Sequence, residues 1–369
     1  MPYLQPIFQL PSGPLDIIGD VHGEHDALVR LLISLGHINL KRGQTRSKRF
    51  IVFNGDICDR GPSSVKVIAL VMRLVKEGRA ICIQGNHELN ILNNDHRDGN
   101  SWFFDYEEPA HYVMEKVDPA AKEAIYAFFS QLPVLAVRHD LRIAHACPHP
   151  RAEQALLNYQ PCFDIAQWSA HLENALVYDP ASPWSNPQLL EKLYAEQAIW
   201  EAHKDPEVRP PMLYTAAEYQ VYLQNQHILR VLTSGMEEHI SPENIFYVGG
   251  KWRFTQRSNW WNNPENLPST PCVIGHYWRA APIEHHPVEG QLVLNTSRSD
   301  PAFDAQSPVS WFGHRNQVFC IDYSVGKTFQ QRHRNSPLGH KTQLAALQWP
   351  EQLLHFDCGI TTPTQNAPT

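Results

Sequence analysis

No C-x-x-C pair occurs in this sequence, and its seven cysteines, Cys58, Cys82, Cys147, Cys162, Cys272, Cys320 and Cys358, are odd in number and scattered. That pattern argues against a disulfide framework. There is no long apolar run either: the longest, near 65–75, is cut by Lys66 and Arg73, so no span of a membrane is signalled. Residues 1–13 lack the basic and continuous apolar regions of a secretory signal. Together these absences predict a reducing, cytoplasmic setting. A basic surplus is also missing. With a formal net charge of −7, bulk charge offers nucleic acid or an anionic membrane no general attraction, so any polyanion must be held by local cations.

What is present suits a folded enzyme. Of 369 residues, 43% are aliphatic or aromatic and 19% charged, which rules out a disordered or collagen-like chain. The length fits one large domain with insertions. Leu15-Asp16-Ile17-Ile18 reads as a strand, followed by a loop and a helix with Leu28, Leu31, Leu32 and Leu35 at helical spacing before Gly36. The plan repeats with Phe50-Ile51-Val52-Phe53, a loop, and a helix whose stripe is Val65, Ile68, Met72 and Val75, ending near Gly78. A third strand, 80–83, follows. This β-α-β-α-β order predicts parallel pairing, with all three loops on one sheet edge.

Farther along, 134–137 and 141–144 flank Arg138-His139-Asp140 and predict an antiparallel hairpin that opens a second sheet. Residues 272–274, 291–294, 318–321 and 344–347 are further strand candidates. Two packed sheets flanked by helices result. Between them the aromatic-rich and proline-rich segment 150–268, with helical patches at 189–203 and 216–231, reads as an inserted cap in a domain of 1–358. Residues 359–369 read as a loose tail.

The loops carry the chemistry. Gly19-Asp20-Val21-His22-Gly23, Gly55-Asp56-Ile57-Cys58-Asp59-Arg60-Gly61 and Gly85-Asn86-His87-Glu88 each follow a strand, and His145 and Gly275-His276 come later. Each segment alone is weak, but the ordered set assembles oxygen and imidazole donors suited to divalent first-row metals. Asp56 is expected to bridge two ions, with Asp20 and His22 on one and Asn86, His145 and His276 on the other. Manganese, iron, zinc or a similar metal fits this mixed set. A metal-bound hydroxide between the ions would attack phosphorus in line. His87, oriented by Asp59, would protonate the leaving group, and Arg60 with Asn86 would hold phosphate oxygens. His149 and the pair His285-His286 read as solvated histidines.

These segments together resemble the signature of calcineurin-like metallophosphoesterases, nearest the phosphoprotein phosphatase branch that Asp59-Arg60-Gly61 marks. The resemblance implies an α/β fold class, a four-layer α-β-β-α sandwich, with a helical insertion and with the roles above at these positions. It covers about 15–147 and 272 onward. One departure stands out: after His145 the family has small residues, often glycine, whereas this chain has Ala146-Cys147. That predicts a different turn at His145, since cysteine tolerates positive φ less well, and puts a redox-sensitive thiol nearby.

The first functional expectation is hydrolysis of phosphomonoesters of the phosphoserine or phosphothreonine type, on a phosphoprotein. The alternative is a symmetrical dinucleoside tetraphosphate hydrolase, a nucleotide substrate whose extra phosphates Lys41, Arg42, Arg46, Lys48 and Arg49 would bind and whose bases Trp102, Phe103, Phe104, Trp260 or Trp261 would stack. Loop charges and core packing are the plainer readings of those two sets. A further alternative is an RNA-end phosphatase or phosphodiesterase, or a non-catalytic scaffold.

Overall fold

The computed structural model describes residues 5–38, 45–109, 112–158, 164–248, 250–281, 306–335 and 342–368. Its centre is a pair of sheets. The first contains β2 (Leu15–Ile18), β3 (Phe50–Phe53) and β4 (Ala80–Cys82) in parallel, with β13 (Ala345–Trp349) antiparallel to β2, then β14 (Leu353–Phe356) and β15 (Thr361–Pro363). The second runs β1 (Ile7–Gln9), β5 (Leu135–Arg138), β6 (Leu141–Ile143), β11 (Cys272–Ile274) and β12 (Val318–Cys320). Its last three strands are parallel.

Period-two alternation sorts the strand side chains into layers. Leu15, Ile17 and Val52 of the first sheet meet Ala136, Ile143, Val273 and Phe319 of the second in one buried cluster between the sheets. On the other face of the first sheet, Ile18, Ile51 and Phe53 pack beneath α1 (His25–Ser34) and α2 (Ser64–Lys76). The outer face of the second sheet, through Cys272, Ile274, Val318 and Cys320, is covered by Val231, Trp260 and Trp261. Strands buried on both faces explain why these segments read as unbroken apolar runs. The result is the four-layer sandwich.

Helix α1 fits its leucine spacing and stops at Gly36, whose φ is 76°. In α2 the stripe is rotated from the expected one: Val67, Ile68, Val71 and Leu74 are buried, whereas Val65, Met72 and Val75 only flank the core. Two neighbouring apolar stripes on one strongly apolar helix made the choice ambiguous. The patch at 216–231 is two helices, α8 (Tyr214–Gln226) and α9 (Ile228–Ser234), because buried His227 leaves the helical conformation and caps α9. Candidate strand 291–294, Cys162, Lys41, Arg42 and His285-His286 lie outside the described residues.

The segment 150–268 divides physically. Helices α5 (Pro150–Leu157), α6 (Ile165–Tyr178) and α9 pack into the main core with α3 (Asn86–Leu92) and α4 (Pro119–Phe129). Helices α7 (Pro187–Ala202) and α8, with two ribbons, β7 (Glu237–His239) on β10 (Thr255–Arg257) and β8 (Phe246–Val248) on β9 (Lys251–Arg253), enclose a separate cluster around Trp184, Leu193, Trp252 and Phe254. The last residues are not a loose tail: Thr361–Pro363 pairs with β14, and Ala367 packs on the inter-sheet core. Composition missed this because backbone ladder bonds need no apolar side chain.

Asp16 ties the first sheet together. Fully buried, its carboxylate accepts from Arg49 Nε at 2.6 Å, Gln348 Nε2 at 3.1 Å and the His37 ring at 2.7 Å. Arg49 also pairs with Glu351, so it serves the sheet and not a substrate. Replacing Asp16 with alanine removes the buried acceptor shared by Arg49 Nε, Gln348 Nε2 and the His37 ring and should cost about 3 kcal/mol or more in urea unfolding; a loss under about 1 kcal/mol would contradict this account.

Candidate metal centre

The carboxyl ends of β2, β3 and β4 and those of β6, β11 and β12 face one cleft of about 310 Å³. Asp20, His22, Asp56, Arg60, Asn86, His87 and His276 line it, together with Asp322, Arg257, Trp278 and Lys327. His145 lies beneath, fully buried. Residues 256 positions apart touch: the backbone N–H of His276 donates to Asp20 Oδ2 at 3.2 Å.

Asp56 is the hub. Its Oδ2 lies 3.2 Å from His145 Nε2, 3.7 Å from His22 Nε2 and 3.9 Å from His87 Nε2. Asn86 Oδ1 meets His145 Nε2 at 3.2 Å and His276 Nδ1 at 2.8 Å. Two trios offer ligand atoms within 4.8 Å of one another, His22, Asp56 and His87, and Asp56, His145 and His276. The second trio belongs to the set expected around one ion, which also includes Asn86. The first includes His87 in place of the expected Asp20, whose Oδ2 is 4.0 Å from His22 Nε2.

The second layer supports ligation. His22 donates Nδ1–H to the Cys58 carbonyl at 3.0 Å and His145 to the Asn54 carbonyl at 2.7 Å, leaving each Nε2 turned inward. That arrangement is characteristic of metal-ligating histidines. The charges agree. Burial, then the neighbouring Asp322, raises the Asp20 carboxyl well above its ordinary range. Burial also raises Asp322. At Asp56 burial acts the same way, but His145 and His87 outweigh it and hold the carboxyl well below the usual range. Burial opposes charge on His145, yet Asp56 and Asp20 lift it to about 10. Burial, assisted by Arg60 and Arg257 respectively, keeps His22 and His276 neutral. A divalent cation fits this set by taking the place of the proton that the carboxylates hold on His145, beside the neutral rings of His22 and His276.

His87 and Arg60 form a distinct unit. Asp59 Oδ2 accepts from His87 Nδ1 at 2.6 Å, and Trp102 Nε1 donates to Asp59 Oδ1 at 2.5 Å. Arg60 forks between His22 Nε2 and His87 Nε2, at 3.0 Å from each. Trp102, like Trp260 and Trp261, is buried, so packing is its setting and holding Asp59 its polar duty.

Such convergence requires unusual backbone. His22, Asp56, Asp59, Arg60 and His276 all have positive φ, between 46° and 71°. A Cβ on Gly275 would lie 2.1 Å from Asp20 Oδ1, and one on Gly85 2.3 Å from Asp56 Oδ1. By contrast neither Ala146 nor Cys147 is left-handed, so the turn at His145 needs no glycine. Cys147 is fully buried, and burial, then Cys272, pushes its thiol well above the ordinary range, which argues against redox sensitivity. His149 is half-buried: it caps α5 and meets Asn266, so it is not simply solvated.

Residues 13–193 match the family model of calcineurin-like phosphoesterases. The chain carries a calcineurin-like phosphoesterase domain. His276 and Asp322 lie past that stretch and reach the site through the second sheet. An asymmetrical bis(5'-nucleosyl)-tetraphosphatase of Oceanobacillus iheyensis is 56% identical over 75 residues, 20% of this chain and 30% of that protein's length. A probable serine/threonine-protein phosphatase of Encephalitozoon cuniculi is 34% identical over 84 residues, 22% of this chain and 16% of its own. The chain thus spans under a third of either relative. A crystal structure of a cold-active protein-tyrosine phosphatase from a psychrophilic Shewanella overlaps 99% of this chain and 83% of its own at 14% identity and a TM-score of 0.47, too loose to argue from. Among the described residues no helix is long and apolar enough to cross a membrane.

Sequence reading left Glu88 and Asp322 without roles. The Glu88 carboxylate accepts from the N–H groups of Asp56, Ile57 and Gly85 at 2.9, 2.9 and 3.0 Å. Asp322 follows apolar 318–321, the same strand-then-carboxylate order as Asp20 and Asp56, which is the signal that marks it. Removing Glu88 by alanine substitution leaves three buried donors unpaired and should lower stability by about 3 kcal/mol or more in denaturant unfolding. Manganese affinity measured by calorimetry should fall with it, and an unaltered affinity would count against Glu88 as the support of Asp56.

Proposed function

We propose that this chain is a metal-dependent hydrolase that cleaves a phosphoanhydride bond of a dinucleoside polyphosphate. The observation that carries the reading is the single cleft in which Asp20, His22, Asp56, Asn86 and His276 stand beside Arg60, Arg257 and Lys327, with Tyr112, Trp278 and Phe329 on its walls. Cationic and aromatic side chains in one cleft suit the phosphates and bases of a nucleotide. The names of relatives such as the tetraphosphatase above support it, and favour an asymmetric cut over the symmetric one.

Asp20, His22, Asp56, Asn86, His145 and His276 would hold the divalent cations, manganese, iron or zinc by donor type. Bound there, such cations supply Lewis acidity that draws charge from phosphoryl oxygens. The chain's own groups do the rest. Arg60 would exchange its two imidazole partners for two phosphate oxygens, and Asn86 sits where a third would lie. Release from Arg60 would free the His87 Nε2 lone pair to take up a proton from solvent and pass it to the leaving oxygen, with Asp59 fixing the ring through Nδ1.

A second reading, hydrolysis of phosphoserine or phosphothreonine monoesters, is favoured by that same pair. An alkoxide leaves poorly without a proton, whereas a polyphosphate departs as a stable anion. A panel of diadenosine tetraphosphate and a phosphopeptide, each with manganese, separates the readings. Turnover of the dinucleotide to AMP and ATP, abolished by chelator and restored by metal, is expected; turnover of the phosphopeptide alone would transfer the assignment to the second reading. His87→Asn should lower kcat by about a hundredfold or more on any monoester and by much less on the anhydride. Equal losses on both would remove His87 from the acid role.

A further inference from the structure

Next to the cleft, four basic side chains gather from separate parts of the chain. Lys251 and Arg253 stand two apart on β9, hence on one side of the β8–β9 ribbon, while Trp252 between them is buried on the other. Arg97 belongs to the loop after α3 and adjoins Asp98, which lines the cleft. Arg257 on β10 lines the cleft itself and donates to the His276 carbonyl at 3.3 Å. Arg97 acts electrostatically on both Lys251 and Arg253, and Arg257 acts on Arg253.

Around Lys251 and Arg253 negative charge is already taken up by other partners. The carboxylates that act most on Lys251 and Arg253 are Asp95 and Glu237. Asp95 is engaged by Arg97 at 2.5 Å, and Glu237 accepts from Thr255 Oγ1 at 2.6 Å. Arg253 Nε is buried with no hydrogen-bond partner. Burial and the like charges around them lower the basicity of Lys251 and Arg253. A solvated basic face would leave neither an orphaned guanidinium nitrogen nor cations held partly out of water.

We propose that Arg97, Lys251 and Arg253 form a second anion subsite, joined to the cleft through Arg257, which takes the phosphates of a polyphosphate chain that are not being cleaved. A chain of linked phosphates presents about one charge per unit and reaches from one basic group to the next, as a carboxylate or a single phosphate does not. The nature of the substrate rests on the function proposed above; the subsite itself rests on the cluster.

Calorimetric titration of the full chain with inorganic tripolyphosphate, orthophosphate and ATP tests it without turnover, so the result stands apart from the hydrolysis panel. The unmodified protein should bind tripolyphosphate at least about tenfold more tightly than orthophosphate, and the double variant Lys251→Gln, Arg253→Gln should erase that preference. Arg97→Gln, in the loop after α3, should weaken tripolyphosphate binding in the same direction, and Lys251→Arg should retain it. Unchanged thermal unfolding in the variants secures the comparison, and the exposed Arg97 serves if the double variant fails to fold. Parallel losses for tripolyphosphate and ATP assign the subsite to the phosphate chain. A preference that survives in the double variant, its absence in the unmodified protein, or a loss confined to ATP would each overturn the proposal.

Discussion

The arrangement depends first on one carboxylate that touches no substrate. Glu88 gathers the N–H groups of Asp56, Ile57 and Gly85, and so binds the loop after β3 to the start of α3. Asp56, Asp59 and Arg60 in that loop are left-handed, a conformation that costs on the order of 1 kcal/mol or more at each residue. Three short bonds inside a dry interior are what can offset such a cost. Without them the loop would relax toward ordinary turns, and the Asp56 carboxylate, on which His22, His87 and His145 all converge, would turn away. Strain here is concentrated where geometry matters most.

Much of this was legible before the fold was known. Asp20, His22, Asp56, Asn86, His145 and His276 were identified from strand-then-loop placement, and they do come together, because parallel strands deliver their carboxyl ends to one edge. Residues whose work is done through backbone groups were not legible. Glu88 shows its purpose only when the N–H groups of a distant loop arrive, and Trp102 only when its indole reaches Asp59. Asp322 carried the right signal without a flanking glycine or histidine to draw notice. The rotated stripe of α2 and the break at His227 show the limit of periodicity where several apolar faces coexist.

The insertion illustrates why a boundary drawn from composition misleads. Residues 150–268 look uniform in sequence, yet α5, α6 and α9 are core helices, while α7, α8 and the ribbons keep a core of their own. The division follows which cluster each apolar stripe joins, information held by tertiary contact alone. It also explains how an insertion contributes chemistry: Arg257, on a ribbon strand of the insertion, lines a cleft whose candidate ligands come from the two sheets.

Asp20 hangs from the first sheet and His145 and His276 from the second, and the approach of Gly275 to Asp20 leaves no room for a methyl group between them. If these residues hold cations as proposed, ion capture is a property of the closed sandwich and of neither half alone. A chain emerging from synthesis with only β2, β3 and β4 paired would have no complete cage, and could acquire one only once β6 and β11 of the second sheet dock beside them. Free-ion concentration then becomes a thermodynamic brace on the sheet-to-sheet seam, drawing the two halves together by mass action.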